Sequence, residues 1–308
     1  MADLGRISET QENFSLQEGE TVSKYRIEGL LGCGSYGKVY KVSDAANTFY
    51  ALKTELRNTK VKGLKMEVVV LRDVRNLESD RFCELITCGR TKKFNYLVMS
   101  LVGKTIDDLR VNNTKSNRKL TLGCGISVGM QCLEAVHSLH NALYINRDIK
   151  PANFCLSLQD HRRILMIDFG MCRKFVDSDG NLRQPRWSVG FRGTLRYAAL
   201  STHYGKENCR KDDIESWLYV LIESLVGRLP WSDSDGLTFV SFQKQTARTS
   251  GLRELFSGVP KELIHALFYI DSLQFYDEPD YSILRGLLRE ALTQNNLEEH
   301  PYDWELNK

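Results

Sequence analysis

The chain has 308 residues, of which 42% are hydrophobic and 26% are charged, and its formal net charge is +3. This length can hold one large domain or two lobes with separate cores, and the composition is ordinary for a globular protein. The small net charge and the lack of an apolar run of membrane-spanning length give no reason to expect a nucleic-acid partner or insertion into a membrane.

Eight cysteines are scattered along the chain without a Cys-x-x-Cys pair, and the six histidines form no ligand-like cluster with them. Scattered cysteines in a long chain are typical of reduced thiols, and the polar stretch from Met1 to Glu20 lacks the apolar core of a signal peptide. We therefore expect a protein of the cytoplasm or the nucleus, with a monomer as the default oligomeric state.

The chain begins with a polar segment, residues 1–23, that is rich in Glu, Ser, Thr and Gln. This composition predicts a disordered arm. Three short strands are predicted next from their apolar patterning. They cover Tyr25–Leu31, Lys38–Val42 and Thr48–Lys53.

Glycines at positions 32, 34 and 37 form a Gly-x-Gly-x-x-Gly motif, which by itself also occurs in dinucleotide-binding folds. In a Rossmann unit these glycines open a helix, and the phosphate lies at the N-terminus of that helix. Here two strands follow the glycines. The pattern therefore favours a hairpin that covers a nucleotide and argues against the Rossmann alternative.

A helix is predicted over residues 60–75, where apolar residues recur every three or four positions. Glu67 lies beside this apolar stripe, and Lys53 closes the preceding strand in the context Ala-Leu-Lys. An isolated glutamate is ordinarily a solvated helix charge. The strand followed by this helix favours instead an ion pair between Lys53 and Glu67 that holds the α- and β-phosphates of a nucleotide.

Two more apolar strands, Phe82–Thr87 and Asn95–Leu101, precede a break at Gly103. A polar loop at 112–119 and a buried helix between Ile126 and Leu139 follow. His137 and His140 are interpreted as packing or surface residues, because no carboxylate or cysteine stands at metal-ligand spacing. Later helices are predicted over about 213–226, 237–248, 260–272 and 280–292, followed by a loose polar end.

The stretch Asn146–Phe154 carries a carboxylate at Asp148, an ammonium at Lys150 and an amide at Asn153. A short apolar strand then leads to a second carboxylate, Asp168, which Phe and Gly follow. Phosphoryl transfer needs a carboxylate to orient and deprotonate the attacking hydroxyl, oxygen ligands for Mg²⁺, and a cation for the transferring group. Either stretch alone could be an ordinary polar loop. Together, in this order, they match the catalytic loop and Asp-Phe-Gly signature of protein kinases.

Over about residues 24–292 the sequence resembles eukaryotic protein kinases, and among them the casein kinase 1 superfamily and its tau-tubulin kinase branch. The narrower resemblance rests on Gly190–Ala199, near which most kinases have an Ala-Pro-Glu signature. Three further motifs continue it, Cys209–Ser216, Leu229–Trp231 and Glu278–Tyr281.

The resemblance implies an α+β, bilobal protein kinase fold with ATP and Mg²⁺ as cofactors, bound between the lobes. Protein substrates that carry Ser or Thr would be the partners, and Lys150 together with Thr194 suggests Ser/Thr rather than Tyr specificity. The implied divisions are the arm at 1–23, a β-rich N-lobe with one helix at 24–102, a larger and mainly helical C-lobe at 103–292, and a polar C-terminal tail at 293–308.

The resemblance also implies roles for single residues in catalysis. Asp148 would be the catalytic base, and Lys150 would stabilise the γ-phosphate. Lys53, paired with Glu67, would hold the α- and β-phosphates. Asp213 would brace the catalytic loop from below without taking part in the chemistry.

The binding of ATP and its metal would involve a further set of residues. Asn153 and Asp168 would hold Mg²⁺. The remaining implied positions lie on the glycine hairpin, on its strands and at the link between the lobes. They are Gly32, Gly34, Ser35, Tyr36, Gly37, Val39, Ala51, Lys53, Met99, Ser100, Leu101 and Val102.

Members of the casein kinase 1 superfamily often prefer substrates that are already acidic or phosphorylated upstream, which implies an anion site. Arginines suit such a site because a guanidinium binds phosphate through two parallel hydrogen bonds. Arg196 matches the family's anion-binding arginine, although it could instead brace its own loop. Arg186 and Arg192 could extend the patch, and Lys244 is a further candidate.

Two positions depart from the usual kinase pattern. Asn146 stands where the catalytic-loop motif usually begins with His, and Leu218 replaces a residue that is often small. Neither removes a group that touches ATP, so we expect an active kinase. The alternative is a pseudokinase scaffold that binds nucleotide or partners without turnover, and Asn146 is its only support.

Overall fold

The computed structural model describes residues 14–34, 37–59, 62–77, 79–112 and 118–306. The chain divides into two compact units. Of the described residues, the small unit contains those up to position 77, together with Phe82–Val102 and Asp168–Gly170. The large unit contains the other described residues, which are Ser79–Arg81, those between 103 and 167, and those from 171 to 306.

The small unit is built on one antiparallel sheet. Its described strands are β1 (Thr21–Val22), β2 (Tyr25–Gly34), β3 (Gly37–Ser43), β4 (Phe49–Leu56), β5 (Leu85–Arg90) and β6 (Phe94–Ser100). Their order across the sheet is β1-β2-β3-β4-β6-β5, and every neighbouring pair is antiparallel. The strands predicted from the apolar patterning are therefore present, with ends that differ by a few residues.

The core of the small unit forms on one face of this sheet, because alternate residues of a strand point to the same side. Its buried members include Tyr25, Ile27, Tyr40, Val42 and Leu52. Phe14 and Leu16 pack against this cluster, and Val22 of β1 belongs to it. The segment predicted as a disordered arm thus contributes to the core from Phe14 onward, because it carries apolar side chains that the sheet can bury.

Helix α1 (Leu64–Val74) covers the small unit's sheet and buries Leu64, Val70, Leu71 and Val74. The prediction placed its start at residue 60, and residues 60 and 61 lie outside the described part of the chain. Among the described residues the helix begins at Leu64, where Glu55 of β4 accepts hydrogen bonds from the N–H groups of Gly63 (2.7 Å) and Leu64 (2.9 Å). A carboxylate at this place satisfies N–H groups that have no partner within the helix.

The large unit is mainly helical. Its described helices are α2 (Ile106–Asn112), α3 (Leu122–Asn141), α4 (Leu200–His203), α5 (Arg210–Val226), α6 (Leu237–Thr246), α7 (Leu252–Leu255), α8 (Glu262–Ser272) and α9 (Tyr281–Gln294). Its described strands form two small ribbons, β7 (Tyr144–Ile145) with β10 (Arg173–Lys174) and β8 (Phe154–Leu156) with β9 (Ile164–Met166). This combination of a sheet-based unit and a helical unit confirms the predicted α+β class.

Helices α3 and α5 pack together at the centre of the large unit. Trp217 of α5 is 1% exposed, and its indole N–H donates to the carbonyl oxygen of Gly129 on α3 at 2.8 Å. Both helices bury most of their residues. In the described ranges, no helix combines the length and the apolar character that a membrane span requires.

The C-terminal segment is bound to the start of α3, which differs from the loose end that we expected. Asp303 accepts hydrogen bonds from the N–H (2.8 Å) and the hydroxyl (2.7 Å) of Thr121. Tyr302 is 1% exposed, and its hydroxyl lies 2.9 Å from the Ser127 hydroxyl on α3. Polar side chains of this segment therefore form hydrogen bonds to the helix and its N-cap, where we had expected them to be solvated.

Candidate active site

Lys53 lies where three elements of the small unit meet. It stands on β4 and is 6% exposed. Its Nζ atom lies 2.7 Å from Glu67 Oε2 on α1 and 2.9 Å from Asp168 Oδ1, a residue 115 positions along the chain. The ion pair predicted between Lys53 and Glu67 is therefore present, and Asp168 is its second carboxylate.

One ammonium in this group is shared by two carboxylates. Burial alone would lower the pKa of Lys53, but the charges of Glu67 and then Asp168 raise this pKa above its ordinary value. Asp168 is the open member, since its side chain is 29% exposed and that of Glu67 is 1% exposed. A partly open carboxylate beside a charged lysine fits Mg²⁺ and phosphate, because Mg²⁺ prefers oxygen ligands and phosphate prefers cations.

The predicted ATP-binding positions of the small unit lie on its sheet. Val39 of β3 is paired with Lys53, and Ala51 of β4 is paired with Met99 of β6. The others lie on the β2–β3 hairpin or at the end of β6, namely Gly32, Gly34, Gly37, Ser100, Leu101 and Val102. Two predicted positions, Ser35 and Tyr36, lie outside the described residues. Contact of this set with ATP stays a prediction.

Asp148 is the centre of a second group, in the large unit. Its carboxylate accepts hydrogen bonds from the hydroxyl of Thr194 (2.7 Å) and the ammonium of Lys150 (2.6 Å). The side-chain amide of Asn153 donates to the Asp148 carbonyl oxygen at 2.9 Å. The arrangement orients the carboxylate and places a cation beside it, which is the combination that proton acceptance during phosphoryl transfer needs.

Asn146 contributes to the position of Asp148. It is 1% exposed, and its side-chain oxygen accepts a hydrogen bond from the Asp148 N–H at 3.0 Å. Its amide nitrogen faces two sulfur atoms, those of Met166 (3.9 Å) and Cys172 (3.8 Å). An Asn side chain can bond the backbone two residues ahead in this way, so the amide supports the catalytic loop locally.

Asp213 holds the same loop from below, as the resemblance implied. Its carboxylate accepts from the N–H groups of Asn146 (2.6 Å) and Arg147 (2.8 Å), and the His140 ring lies 2.9 Å away. The other His140 nitrogen is bonded to the hydroxyl of Tyr281. The interpretation of His140 as a packing or surface residue missed these contacts, although its position four residues after Val136 placed it on the apolar stripe of α3.

Two non-glycine residues of the motif loops have a left-handed backbone, Asp168 (φ 63°) and Arg147 (φ 69°). Non-glycine residues rarely adopt this conformation, and it clusters at functional sites. Gly193 lies so close to Arg147 that a Cβ atom there would be 2.6 Å from the Arg147 carbonyl oxygen. Glycine at 193 therefore allows Thr194 to reach Asp148.

The arginines of the predicted anion site have different environments. Arg196 donates to Glu223 (3.2 Å) and to the carbonyl oxygen of Ser232 (3.0 Å). Arg186 forms a two-pronged ion pair with Glu207. Arg186 and Arg192 are both exposed, whereas Arg196 is half-buried.

Arg192 lies close enough to Arg147 and Arg173 for its charge to act on both. Burial, and after it the charges of Arg192 and Arg173, lower the pKa of Arg147. Arg147 and Arg173 were not among the predicted anion-site residues. Lys244, which was a candidate, is fully buried and donates to backbone carbonyl groups. It therefore does not contribute to an exposed patch.

Comparison with known families and proteins gives one assignment. The protein kinase domain matches residues 25–273. The chain belongs to the protein kinase family. It is 34% identical over 306 residues to the serine/threonine-protein kinase spe-6 of Caenorhabditis elegans, covering 97% of this chain and 80% of that protein. It is 33% identical over 300 residues to a probable serine/threonine-protein kinase of Dictyostelium discoideum, covering 96% of this chain but 59% of that protein.

This family membership confirms the prediction of a protein kinase. Protein kinases use ATP and Mg²⁺ and act on protein substrates. The kinase motif residues Lys53, Glu67 and Asp168 meet within the small unit, and Asp148 and Lys150 meet within the large unit. The roles of the individual side chains in this chain remain predictions.

Proposed function

We propose that this chain is an active serine/threonine protein kinase, which transfers the γ-phosphate of ATP to Ser or Thr side chains of protein substrates. The observation that carries the proposal is the Asp148 carboxylate held between the Thr194 hydroxyl and the Lys150 ammonium. A nucleotide-binding scaffold without turnover has no such support, because Asn146 keeps Asp148 bonded through its own side-chain oxygen.

The proposed mechanism divides the work among six side chains. Mg²⁺ and ATP would supply the transferable phosphoryl group and shield its charge. Asp148 would accept the proton of the substrate hydroxyl at its carboxylate, and Lys150 would donate to the phosphoryl oxygens. Lys53 would hold phosphate oxygens, oriented by its bond to Glu67. The Asp168 carboxylate would offer oxygen ligands to Mg²⁺, and Asn153 of the large unit would offer another.

The proposal is tested with the full chain, Mg²⁺–ATP and a Ser/Thr-rich protein substrate. Asp148→Asn should reduce phosphate transfer by about 10² to 10³-fold, because loss of one transition-state group in such a site typically costs about 3–4 kcal/mol. Binding of ATP should persist. Asp233→Asn, a change at an exposed carboxylate of the large unit, is the matched control and should keep full activity. Unchanged transfer by Asp148→Asn, or no transfer by the wild type, would overturn the proposal.

We further propose that the kinase belongs to the casein kinase 1 superfamily, near its tau-tubulin kinase branch, and prefers acidic or already phosphorylated sites. The motif Gly190–Ala199 supports the branch. The exposed Arg192, whose charge acts on Arg147 and Arg173, supports an anion site. The Arg196 side chain is 39% exposed, so part of it is open to solvent beside its bond to Glu223.

Paired peptides test this preference, one with a phosphorylated or acidic residue upstream of the target serine and one with a neutral residue there. Arg192→Ala and Arg196→Ala should each lower activity on the charged peptide far more than on the neutral peptide. Arg253→Ala, which removes an exposed arginine of α7, should affect both peptides equally little. An equal loss on both peptides would exclude Arg192 or Arg196 from the anion site.

We also propose that the kinase acts as a monomer in the cytoplasm or the nucleus. The eight cysteines all lie in the described residues and none forms a disulfide bond there, in keeping with a reducing compartment. Fluorescence microscopy of the tagged full chain tests the compartment, and light scattering during gel filtration tests the oligomeric state. A secretory location or a stable dimer would contradict these two expectations.

A further inference from the structure

Lys244 on α6 is a buried lysine whose hydrogen bonds run to the backbone. It is 0% exposed, and its Nζ atom donates to the carbonyl oxygens of Leu195 (2.9 Å) and Ala198 (2.6 Å). The third neighbour of Nζ is Nε2 of His203 at 3.1 Å. Lysines are almost never fully buried without a paired carboxylate, so this placement calls for a role that only a long, donating side chain can fill.

The surroundings of Lys244 hold the amine without binding it to a carboxylate. Nζ lies 5.1 Å from the ring centre of Tyr219 and 5.4 Å from that of Trp231. Burial lowers the pKa of Lys244 to about 7, while the charge of Glu215 opposes this shift and that of Arg248 adds to it. Near neutral pH both the ammonium and the free amine are therefore populated.

Leu195 and Ala198, the two residues that Lys244 bonds, belong to one short stretch, residues 194–198, which we call the 194–198 segment. Trp231 fixes its middle by donating to the Arg196 carbonyl oxygen at 2.8 Å. The Tyr197 hydroxyl donates to Glu223 at 2.6 Å. The segment begins at Thr194, whose hydroxyl bonds Asp148. Lys244 thus anchors the end of a connection that starts at the proposed catalytic base.

We propose that Lys244 is a positioning residue that sets the 194–198 segment for binding of the phosphate-accepting substrate. This inference rests on the proposed kinase function and adds a residue outside the kinase motifs. Lys244 does not touch ATP or the reacting atoms in this role. It bonds the carbonyl groups of Leu195 and Ala198 and thereby fixes the conformation of the backbone that follows Thr194, the residue bonded to Asp148.

A primary amine suits this task because it holds both carbonyls in either protonation state. The free amine has two N–H groups for Leu195 and Ala198 and one lone pair that can accept from His203. The ammonium has three N–H groups, and the third can donate to His203. Burial and the charge of Lys244 lower the pKa of His203 to about 4, so the ring stays neutral and can take either part.

The variant Lys244→Met keeps the length and apolar stem of the side chain but removes every donor. In the full chain it should raise the KM for a Ser peptide substrate by about tenfold or more. The KM for ATP and the rate of ATP hydrolysis without peptide should stay close to the wild-type values. A purely structural lysine would not separate the two substrates in this way.

The matched control is Val240→Ala, one turn earlier on the same helix and also 0% exposed. This change loosens the packing of α6 but leaves both carbonyl bonds, so it should lower the melting temperature without raising the peptide KM. If Lys244→Met does not fold, Lys244→Gln replaces it, since the shorter amide loses at least one of the two bonds. The same rise in peptide KM is expected of Lys244→Gln.

The outcomes separate this inference from the proposed function. If the wild type phosphorylates no substrate, the kinase function fails. If the wild type is active and the folded Lys244 variant keeps its peptide KM, only the role of Lys244 fails. Equal losses toward peptide and ATP, matched by Val240→Ala, would also overturn it, because the lysine would then serve stability alone.

Discussion

At position 146 an amide stands where kinases usually have an imidazole. The Asn146 oxygen accepts from the Asp148 N–H, while its backbone N–H is held by Asp213. Asn146, which departs from the usual motif, therefore bonds Asp148 through its side chain and Asp213 through its backbone. Its replacement by an apolar residue would leave the buried N–H of Asp148 without this partner, which typically costs about 1–3 kcal/mol.

We predict that Asn146→Ala lowers kcat about tenfold, because the Asp148 carboxylate loses a fixed orientation. The KM for ATP should change little, since ATP contacts are not removed. Steady-state kinetics at varied ATP and peptide concentrations measure both quantities.

Cys172→Ala is the control for Asn146→Ala. It removes the sulfur atom that faces the Asn146 amide nitrogen but retains the bond to Asp148. It should keep kcat near the wild-type value. If Asn146→Ala also keeps the wild-type kcat, the bond between Asn146 and Asp148 is not used in catalysis.

At the scale of single elements, the start of α3 depends on a residue 182 positions away along the chain, Asp303. Thr121 stands at the N-cap of this helix, yet its own side chain caps no N–H group. Asp303 instead bonds the Thr121 N–H and hydroxyl, and places a carboxylate near the positive end of the helix. The C-terminal segment therefore stabilises the helix that leads to the catalytic loop.

We predict that Asp303→Ala lowers the free energy of unfolding by about 1–3 kcal/mol, because two hydrogen bonds to a nearly buried carboxylate are lost. Denaturant unfolding followed by circular dichroism measures this change. Glu298→Ala removes an exposed acid from the same segment and should lie within about 0.5 kcal/mol of the wild type. Equal stability of Asp303→Ala and the wild type would contradict a capping role.

The local sequence pattern was enough to predict the long helices and to recognise the kinase motifs. The predicted helix at 280–292 is Tyr281–Gln294, and that at 213–226 is Arg210–Val226. The helices Leu200–His203 and Leu252–Leu255 were not predicted, because four residues are too few to show a period.

The local sequence pattern could not predict contacts between residues that are far apart along the chain. The bond from Thr121 to Asp303 joins two polar residues that nothing in either local sequence links. Lys244 resembled an exposed cation of the anion site because its burial depends on rings and carbonyl groups from other elements. The family resemblance identified Asp148 and Asp168, but only the fold shows how Asn146 supports the first.

At the scale of the whole molecule, the buried amine of Lys244 links folding to pH. Its pKa is about 7 in the folded protein and near 10.5 in an exposed lysine. Between these values the unfolded chain binds one more proton than the folded chain, so this group makes stability rise with pH. Below about pH 7 both states carry the proton, and the contribution no longer changes with pH.

We predict that the stability of the wild type relative to Lys244→Met increases by about 1.4 kcal/mol per pH unit from pH 7.5 to 9.5. Other titrating groups are shared by the two proteins and cancel in the difference. Denaturant unfolding at several pH values measures it. Lys261→Met, at an exposed lysine, should give a curve parallel to the wild type. A parallel curve for Lys244→Met would exclude a neutral amine at this position.

The small unit includes three residues, Asp168–Gly170, that are translated long after the rest of it. Phe169 is 0% exposed and its ring meets that of Phe82, while Asp168 bonds the buried ammonium of Lys53. When a ribosome has made the chain only to Val102, these partners do not yet exist. At that stage Lys53 has Glu67 but not Asp168 to pair with, and Phe82 lacks the ring of Phe169. A single cut of the gene after Val102 would therefore leave the small unit without three of its residues.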